Sequence, residues 1–280
     1  MDKLQVREGP RIEKIDLAKP GVEEFIPATM DNIRDSLKRF GVAIVREAFD
    51  VAEIEGLIEN ATAHAAKVEA AARDGTIGKF ARAVADIDPE TAGCTSNFTE
   101  TSLYKALMRG VVRSMLLEAI GPDVYWVNAQ ARVVVPDSNL DKNGRLPLHI
   151  ERRAFKYDGL HNIWTPLTPQ GVVTNVDTPG LQFFVGRLDY FQSLSPETEE
   201  SIVKYLSSIG RESHRHGLQG DKYGFFFRPK LKAGDVALFT GFAPHTGYIP
   251  ENARLTRVAF DIRIFPKCDA PDIKPLCLAA

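Results

Sequence analysis

The sequence has little cysteine and no long apolar run, and each absence excludes a class of protein. Its three cysteines are few, widely spaced and odd in number, which argues against a disulfide framework or a zinc cluster. No apolar stretch approaches the roughly 18 residues of a membrane span. The polar start of the chain lacks the apolar segment of a signal peptide. We therefore expect a cytoplasmic protein that is not embedded in a membrane.

The sequence also lacks an excess of charge of either sign. Lysine and arginine total 35 and aspartate and glutamate total 37, which gives a net charge of −2. A chain so close to neutral offers no general electrostatic attraction for nucleic acid. It contains no internal repeat, no low-complexity tract and no long Gly/Ser linker. These features favour one globular domain over 1–280.

The first 120 residues follow helical spacing. Ile33, Leu37 and Phe40 lie near one helical face, and a short buried strand is predicted over 41–45. Asp50 and Glu53 resemble a capping box ahead of an alanine-rich helix that runs to Ala72. A third helix is predicted from about 103 to 120.

From residue 121 the pattern changes to short stretches rich in β-branched and aromatic residues, separated by Gly, Pro, Asn and Asp. This pattern is typical of a β-sandwich or barrel. We predict a mainly β core over 121–266, with 1–120 as a helical layer and lid elements packed on one sheet, and 267–280 as a C-terminal tail. The predicted strands are 124–135, 162–164, 172–174, 181–185, 223–227, 236–239 and 257–265, and one helix interrupts them at 196–209.

The tripeptide His149-Ile150-Glu151 follows a turn-rich loop. Residues i and i+2 of a strand point to the same side, so this spacing aims an imidazole and a carboxylate at one point. A further imidazole from His245 would complete the two-histidine, one-carboxylate set that holds non-haem Fe(II). Taken alone, the tripeptide is better explained by a surface histidine beside a solvated glutamate, and His245 by a hydrogen-bonded core histidine.

Arg257 lies twelve residues after His245 and begins an alternating strand. A guanidinium there could hold a dicarboxylate with two parallel hydrogen bonds. A surface charge is the alternative for Arg257, and Arg254 is its rival for the same role. Chance seldom produces this combination of motifs in this order: H-x-E, Gly234-Asp235, His245 and Arg257.

Residues 121–266 resemble the phytanoyl-CoA dioxygenase-like branch of the Fe(II)/2-oxoglutarate-dependent oxygenases. The resemblance is carried by Gly121-Pro122, Leu148 to Glu151, Trp164, Gly180 to Gly186, Gly234-Asp235, His245 and Arg257. It implies a double-stranded β-helix (jelly-roll, cupin-like) core. It also implies Fe(II) ligation by His149, Glu151 and His245, binding of the distal carboxylate of 2-oxoglutarate by Arg257, and cosubstrate contacts from Trp164 and Gln130. Core packing for Trp164 and a solvent-facing position for Gln130 remain open.

The activity implied by this resemblance is dioxygenation. Fe(II), 2-oxoglutarate and O2 would oxidise an unactivated C–H bond of a small molecule, usually by hydroxylation, with release of succinate and CO2. The family usually has H-x-D, and related halogenases replace the carboxylate with a small residue. Glu151 therefore favours an oxygenase. Gly247 lies where some relatives place a serine on the cosubstrate.

Three further residues are candidates for substrate contact. Arg153 would share the side of His149 and Glu151 if the strand continues, and could pair with an anionic group, although a salt bridge is the alternative. Asn97 precedes a helix in a region that often forms a lid in this family, and ordinary turn chemistry is its alternative. His161 lies close enough to Trp164 to line a pocket. We expect a small-molecule substrate of an anionic, natural-product or amino-acid type.

Two other functions remain open. A cupin-type metal-dependent dioxygenase would not use 2-oxoglutarate, and it clusters its histidines more closely. A metal-free jelly-roll binding module would not need the three ligands.

Overall fold

The computed structural model describes residues 33–75, 87, 105–106, 109–136, 148–151, 159–186, 220–221, 224–266 and 274–277. The described helices are α1 (Ile33–Phe40), α2 (Glu55–Arg73) and α3 (Gly110–Ala119), and a 3-10 turn, Val51–Ile54, leads into α2. Among these helices, none is long and apolar enough to cross a membrane.

Strands dominate the rest of the described chain. In chain order they are β1 (Val42–Val45), β2 (Asp123–Val134), β3 (His161–Pro166), β4 (Gly180–Gly186), β5 (Gly220–Asp221), β6 (Gly224–Phe227), β7 (Val236–Thr240), β8 (His245–Tyr248), β9 (Arg257–Pro266) and β10 (Lys274–Cys277). They form a six-stranded sheet, ordered β1-β7-β3-β9-β2-β10, and a four-stranded sheet, ordered β5-β6-β4-β8. Every pairing between these strands is antiparallel.

The two faces of the six-stranded sheet bury different neighbours, because successive strand residues point to opposite sides. On β9, Val258, Phe260, Ile262 and Ile264 join a core with helical residues such as Met115. We call this the outer face. The inner face carries Trp164, Ala237, Phe239 and Ala259, which pack with Phe183, Val185 and Phe227 of the four-stranded sheet.

This architecture confirms the predicted fold class. The protein is mainly antiparallel β, with two facing sheets in a jelly-roll arrangement and helices covering one of them. The alternation along β9 serves both faces of the sheet. Its apolar row packs under the helices, and the alternate row, which contains Arg257, Asp261 and Arg263, is buried on the inner face.

Three predicted elements differ from the structure. Residues 172–174 do not form a strand: they lie in a turn closed by a bridge between Thr174 and Thr178 and by hydrogen bonds to Asp177. The third helix is assigned from Gly110, seven residues later than predicted, although Lys105 and Ala106 are also helical. Part of the predicted C-terminal tail is strand β10, which pairs with β2. The helix predicted at 196–209 lies outside the described residues.

Only one of the two side-chain hydrogen bonds of the predicted capping box forms ahead of α2. The Asp50 carboxylate accepts a hydrogen bond from the Ala52 amide at 2.9 Å. The Glu53 side chain does not return to the Asp50 amide but lies 3.4 Å from Arg109, beside α3. Glu53 therefore links two helices, and Asp50 caps the turn alone.

The Gly234-Asp235 pair forms a buried latch ahead of β7. Gly234 has φ +90° and a Cβ there would lie 3.0 Å from the Phe49 carbonyl oxygen, so both conformation and space require glycine. Asp235 is fully buried, and its carboxylate accepts hydrogen bonds from Arg46 Nη1 at 2.8 Å and from the Glu47 and Lys232 amides at 3.0 Å each. The latch therefore fixes the end of β1 to the start of β7.

Replacing Asp235 tests this latch. Asp235→Ala would leave three donors without their charged acceptor, so we expect the free energy of unfolding to fall by roughly 2–4 kcal/mol. Urea denaturation measures the change. Asp50→Ala, which removes one exposed capping bond, should cost about 1 kcal/mol. Equal losses in the two variants would contradict the latch.

Candidate metal centre

A single backbone bridge brings the two histidines together. The His149 amide donates to the His245 carbonyl oxygen and the His245 amide donates to the His149 carbonyl oxygen, each at 3.0 Å. Residues paired in this way on antiparallel segments project their side chains to the same face. The two imidazole rings accordingly lie with their centroids 4.3 Å apart. The ring of His245 also packs on Phe239 of the inner face at 4.7 Å.

Glu151 is held in place by Arg263 on β9. The guanidinium donates from Nη2 to Oε1 at 2.8 Å and from Nε to Oε2 at 3.2 Å, a two-point ion pair in which both residues are buried. This geometry fixes the plane of the carboxylate as well as its position. Ile150, between the two ligands, is buried in the core.

The resulting triad has the geometry of a metal site. Glu151 Oε1 lies 3.5 Å from His149 Nε2 and 3.8 Å from His245 Nε2, and one ligand atom from each of the three residues lies within 4.8 Å of the others. Ligand atoms held about 2.0–2.2 Å from one metal lie roughly 3.0–3.4 Å apart, so a small contraction would close the set. Two imidazoles and one carboxylate suit a divalent transition metal and leave coordination positions open.

The electrostatics of Glu151 and His245 favour the protonation states that metal ligation needs. Burial alone would raise the pKa of Glu151, but hydrogen bonds from His149 and Arg263 and the Arg263 charge hold it well below its usual range. Burial, reinforced by the neighbouring His149, lowers the pKa of His245 to about 3. Near neutral pH, Glu151 is therefore anionic and His245 neutral, as ligation requires.

A charged network extends from Glu151 along the inner face. Arg263 Nη2 also donates to Asp261 Oδ2 at 3.1 Å, and Arg132 Nε on β2 lies 3.3 Å from the same oxygen. Sequence reasoning missed Arg263, Asp261 and Arg132. The alternation of β9 could have indicated Arg263 and Asp261. In that strand Arg257, Ala259, Asp261 and Arg263 occupy every second position and so share one face.

The residues predicted to bind the cosubstrate also lie on the inner face. Arg257 is only 3% exposed, donates from Nη1 to the Gly180 carbonyl oxygen at 3.2 Å, and lies 5.4 Å from the ring of Trp164. Gln130 is half-buried on β2 and pairs in register with Asp261. Arg254 is exposed and donates to the carbonyl oxygens of Glu251 and Ala253. Burial therefore distinguishes the two candidate arginines.

Of the residues predicted to contact the substrate, His161 is the one that the structure describes. His161 lies on the strand face of Ile163, which joins the outer core, and not on the face of Trp164. Its Nδ1 lies 2.7 Å from the Gly159 carbonyl oxygen, and burial lowers its pKa. The structure thus does not bring His161 to the triad. Arg153 and Asn97 lie outside the described residues.

Solved structures share this fold at low sequence identity. The non-heme alpha ketoglutarate dependent epimerase SnoN from nogalamycin biosynthesis matches with a TM-score of 0.54 and 13% identity, over 85% of this chain and 80% of its own. The non-heme alpha ketoglutarate dependent carbocyclase SnoK, from the same biosynthesis, matches with a TM-score of 0.51 and 12% identity, over 86% and 87%. No protein-family model and no curated protein matches the sequence. The likeness establishes the fold.

Removing Arg263 tests the ion pair. Arg263→Met would leave Glu151 and Asp261 as buried carboxylates, so we expect the metal-free protein to lose about 3–5 kcal/mol of unfolding free energy. Glu151→Gln added to Arg263→Met should recover part of that loss, because an amide carries no charge to bury. The exposed arginine variant Arg109→Gln should stay within about 0.5 kcal/mol of the wild type. A stable Arg263→Met single variant would contradict the assignment.

The lowered pKa of His245 predicts a pH dependence of stability. Between pH 6.5 and about 3 the unfolded chain binds a proton on this imidazole that the folded chain does not, so stability falls as pH falls through that window. The limiting slope is about 1.4 kcal/mol per pH unit for one group. Urea denaturation of chelator-treated protein from pH 7 to pH 4 measures it. His245→Gln should flatten the slope, and an unchanged slope would overturn the prediction.

Proposed function

We propose that this protein is an Fe(II)- and 2-oxoglutarate-dependent dioxygenase that hydroxylates or otherwise oxidises an unactivated C–H bond of a small molecule. The observation that carries the proposal is the convergence of His149, Glu151 and His245 beside the inner face on which Arg257 is buried. SnoN and SnoK, which share the fold, are described as alpha ketoglutarate dependent. The sequence landmarks favour the phytanoyl-CoA dioxygenase-like branch.

The residues of the chain would have separate roles in this reaction. His149 Nε2, Glu151 Oε1 and His245 Nε2 would hold the iron. Bound iron, 2-oxoglutarate and O2 supply the oxidising chemistry, with succinate and CO2 as by-products. Arg263 donates to both carboxylate oxygens of Glu151 and so would hold Oε1 toward the two histidines, where the iron would bind. Glu151 also fills the position that halogenases leave open, which favours oxygenation.

Arg257 is the proposed anchor for the distal carboxylate of 2-oxoglutarate. Its guanidinium is buried, so an ion pair formed there would be screened little by water. Trp164 lies against the guanidinium and would hold its plane, and Gln130 lies on the same face. A cupin that does not use 2-oxoglutarate, or a metal-free binding module, gives this buried arginine no role.

The remaining parts of the proposal concern the whole chain. We propose one domain over 1–280, because β1 and β10, from distant parts of the sequence, join the same sheet. We propose a cytoplasmic location on the strength of the sparse cysteines.

Anaerobic titration with Fe(II) and 2-oxoglutarate tests the function. The weak visible charge-transfer band that the family resemblance implies should develop in the wild type and be absent from His245→Ala. Arg257→Gln should weaken 2-oxoglutarate binding about 10- to 100-fold, because it removes a charge-assisted pair from a buried site. The matched variant Arg254→Gln, three residues earlier and exposed, should bind like the wild type.

Two outcomes would count against the proposal. If the wild type binds Fe(II) but never 2-oxoglutarate, the cupin-type alternative gains support. If Arg254→Gln weakens 2-oxoglutarate binding and Arg257→Gln does not, the anchor is Arg254. Succinate formation scored across a panel of small metabolites then identifies the substrate.

A further inference from the structure

Arg132 projects from β2 onto the inner face. Its neighbours Ala131 and Val133 pack in the outer core, so Arg132 points the other way. In register it pairs with Ala259, which places it between Arg257 and Asp261 of β9. A chain of ion pairs, from Arg132 to Asp261, then to Arg263 and to Glu151, connects it to the triad.

The guanidinium of Arg132 makes only part of the polar contacts of which it is capable. Nε lies 3.3 Å from Asp261 Oδ2, and that carboxylate is already shared with Arg263. Within the part of the chain that the structure describes, its ion pair with Asp261 is made through Nε and not through the terminal Nη1 and Nη2 groups. A terminal amino pair of this kind matches a carboxylate in the two-point geometry that arginine favours.

Arg132 is also the accessible member of the charged row. Its side chain is 19% exposed, whereas those of Arg263, Asp261 and Glu151 are 2%, 7% and 4% exposed. A small molecule entering from solvent can therefore reach Arg132, while the other charges lie beneath the surface.

The balance of charges on the inner face indicates which kind of chemical group Arg132 would bind. On β2, β9 and the 148–151 segment, the described inward charges are three arginines against two carboxylates, which leaves one positive charge. A divalent metal and the 2-oxoglutarate dianion cancel each other, so the excess persists in the loaded site. Because excess charge in a partly buried site favours an opposite charge nearby, an anionic group on the substrate would balance it.

We propose that Arg132 binds a carboxylate carried by the substrate, so that the protein oxidises small carboxylic acids. This inference rests on the proposed function and names the substrate class for the same site. Arg257 holds the cosubstrate, and Arg132 orients the substrate over the metal. A monoanion matches the single excess charge, and a neutral analogue would leave that charge unbalanced.

The test uses protein loaded anaerobically with Fe(II) and 2-oxoglutarate. The probes are monocarboxylic acids, including N-acyl amino acids and aromatic acids, each paired with its primary amide. Binding is read from the change in the visible band, and succinate formation is measured after air is admitted. The variants are Arg132→Gln and Arg132→Lys, with Arg109→Gln as a control for the same charge loss on the remote helical layer. Arg132→Gln should fold, because Asp261 keeps its ion pair with Arg263.

In the wild type, at least one acid should bind about tenfold more tightly than its amide. Arg132→Gln should erase that difference while 2-oxoglutarate affinity changes less than twofold, and Arg132→Lys should retain part of it. Arg109→Gln should behave as the wild type. The inference is overturned if no acid in the panel binds better than its amide. It is equally overturned if Arg132→Gln weakens 2-oxoglutarate binding as much as Arg257→Gln does. A wild type that never binds 2-oxoglutarate would instead refute the proposed function itself.

Discussion

The ion pair between Glu151 and Arg263 is the interaction on which the site depends. It joins a four-residue described segment, 148–151, to the middle of the six-stranded sheet. A lone carboxylate this deeply buried would be expelled or protonated, because removing a charge from water costs several kcal/mol. Arg263 offsets that cost and fixes the carboxylate orientation in the same contact. The position of one candidate metal ligand is therefore set by a residue outside the triad.

The inner face of the sheet is divided into an apolar part and a charged part. Trp164, Ala237 and Phe239 pack against the four-stranded sheet and close the sandwich. The β2–β9 side carries instead a row of arginines and carboxylates joined by ion pairs. The triad lies where the two parts meet, with Phe239 against one histidine and Arg263 against the carboxylate. This division places a polar candidate site inside a hydrophobic core, with each of its buried carboxylates paired to an arginine.

The sequence predicted the fold class from strand alternation, and it named His149, Glu151 and His245 as candidates through the H-x-E spacing and a family resemblance; the structure brings their ligand atoms together. Strand alternation is visible in β9, and H-x-E implies a shared direction on any extended segment. The contacts around the triad depend on which strands become neighbours. Nothing within β9 says that Arg263 will lie opposite a loop more than one hundred residues earlier, and the place of His161 depends on which face of β3 meets the helices. The turn at 172–174 was misread because Val-Val-Thr has strong β propensity, which the side chain of Asp177 overrides by accepting the Val173 amide.

The bridge between His149 and His245 has a consequence for the thermodynamics of the whole chain. It joins the 148–151 segment to the edge strand of the smaller sheet through two backbone hydrogen bonds. An ion bound between the two imidazoles and Glu151 would act as a third and stronger cross-link. Because such an ion binds the folded chain alone, it would add about 2.7 kcal/mol of stability when its concentration is 100 times its Kd. The metal would thus contribute to structural integrity as well as to reactivity, and starvation for it would lower the amount of folded protein.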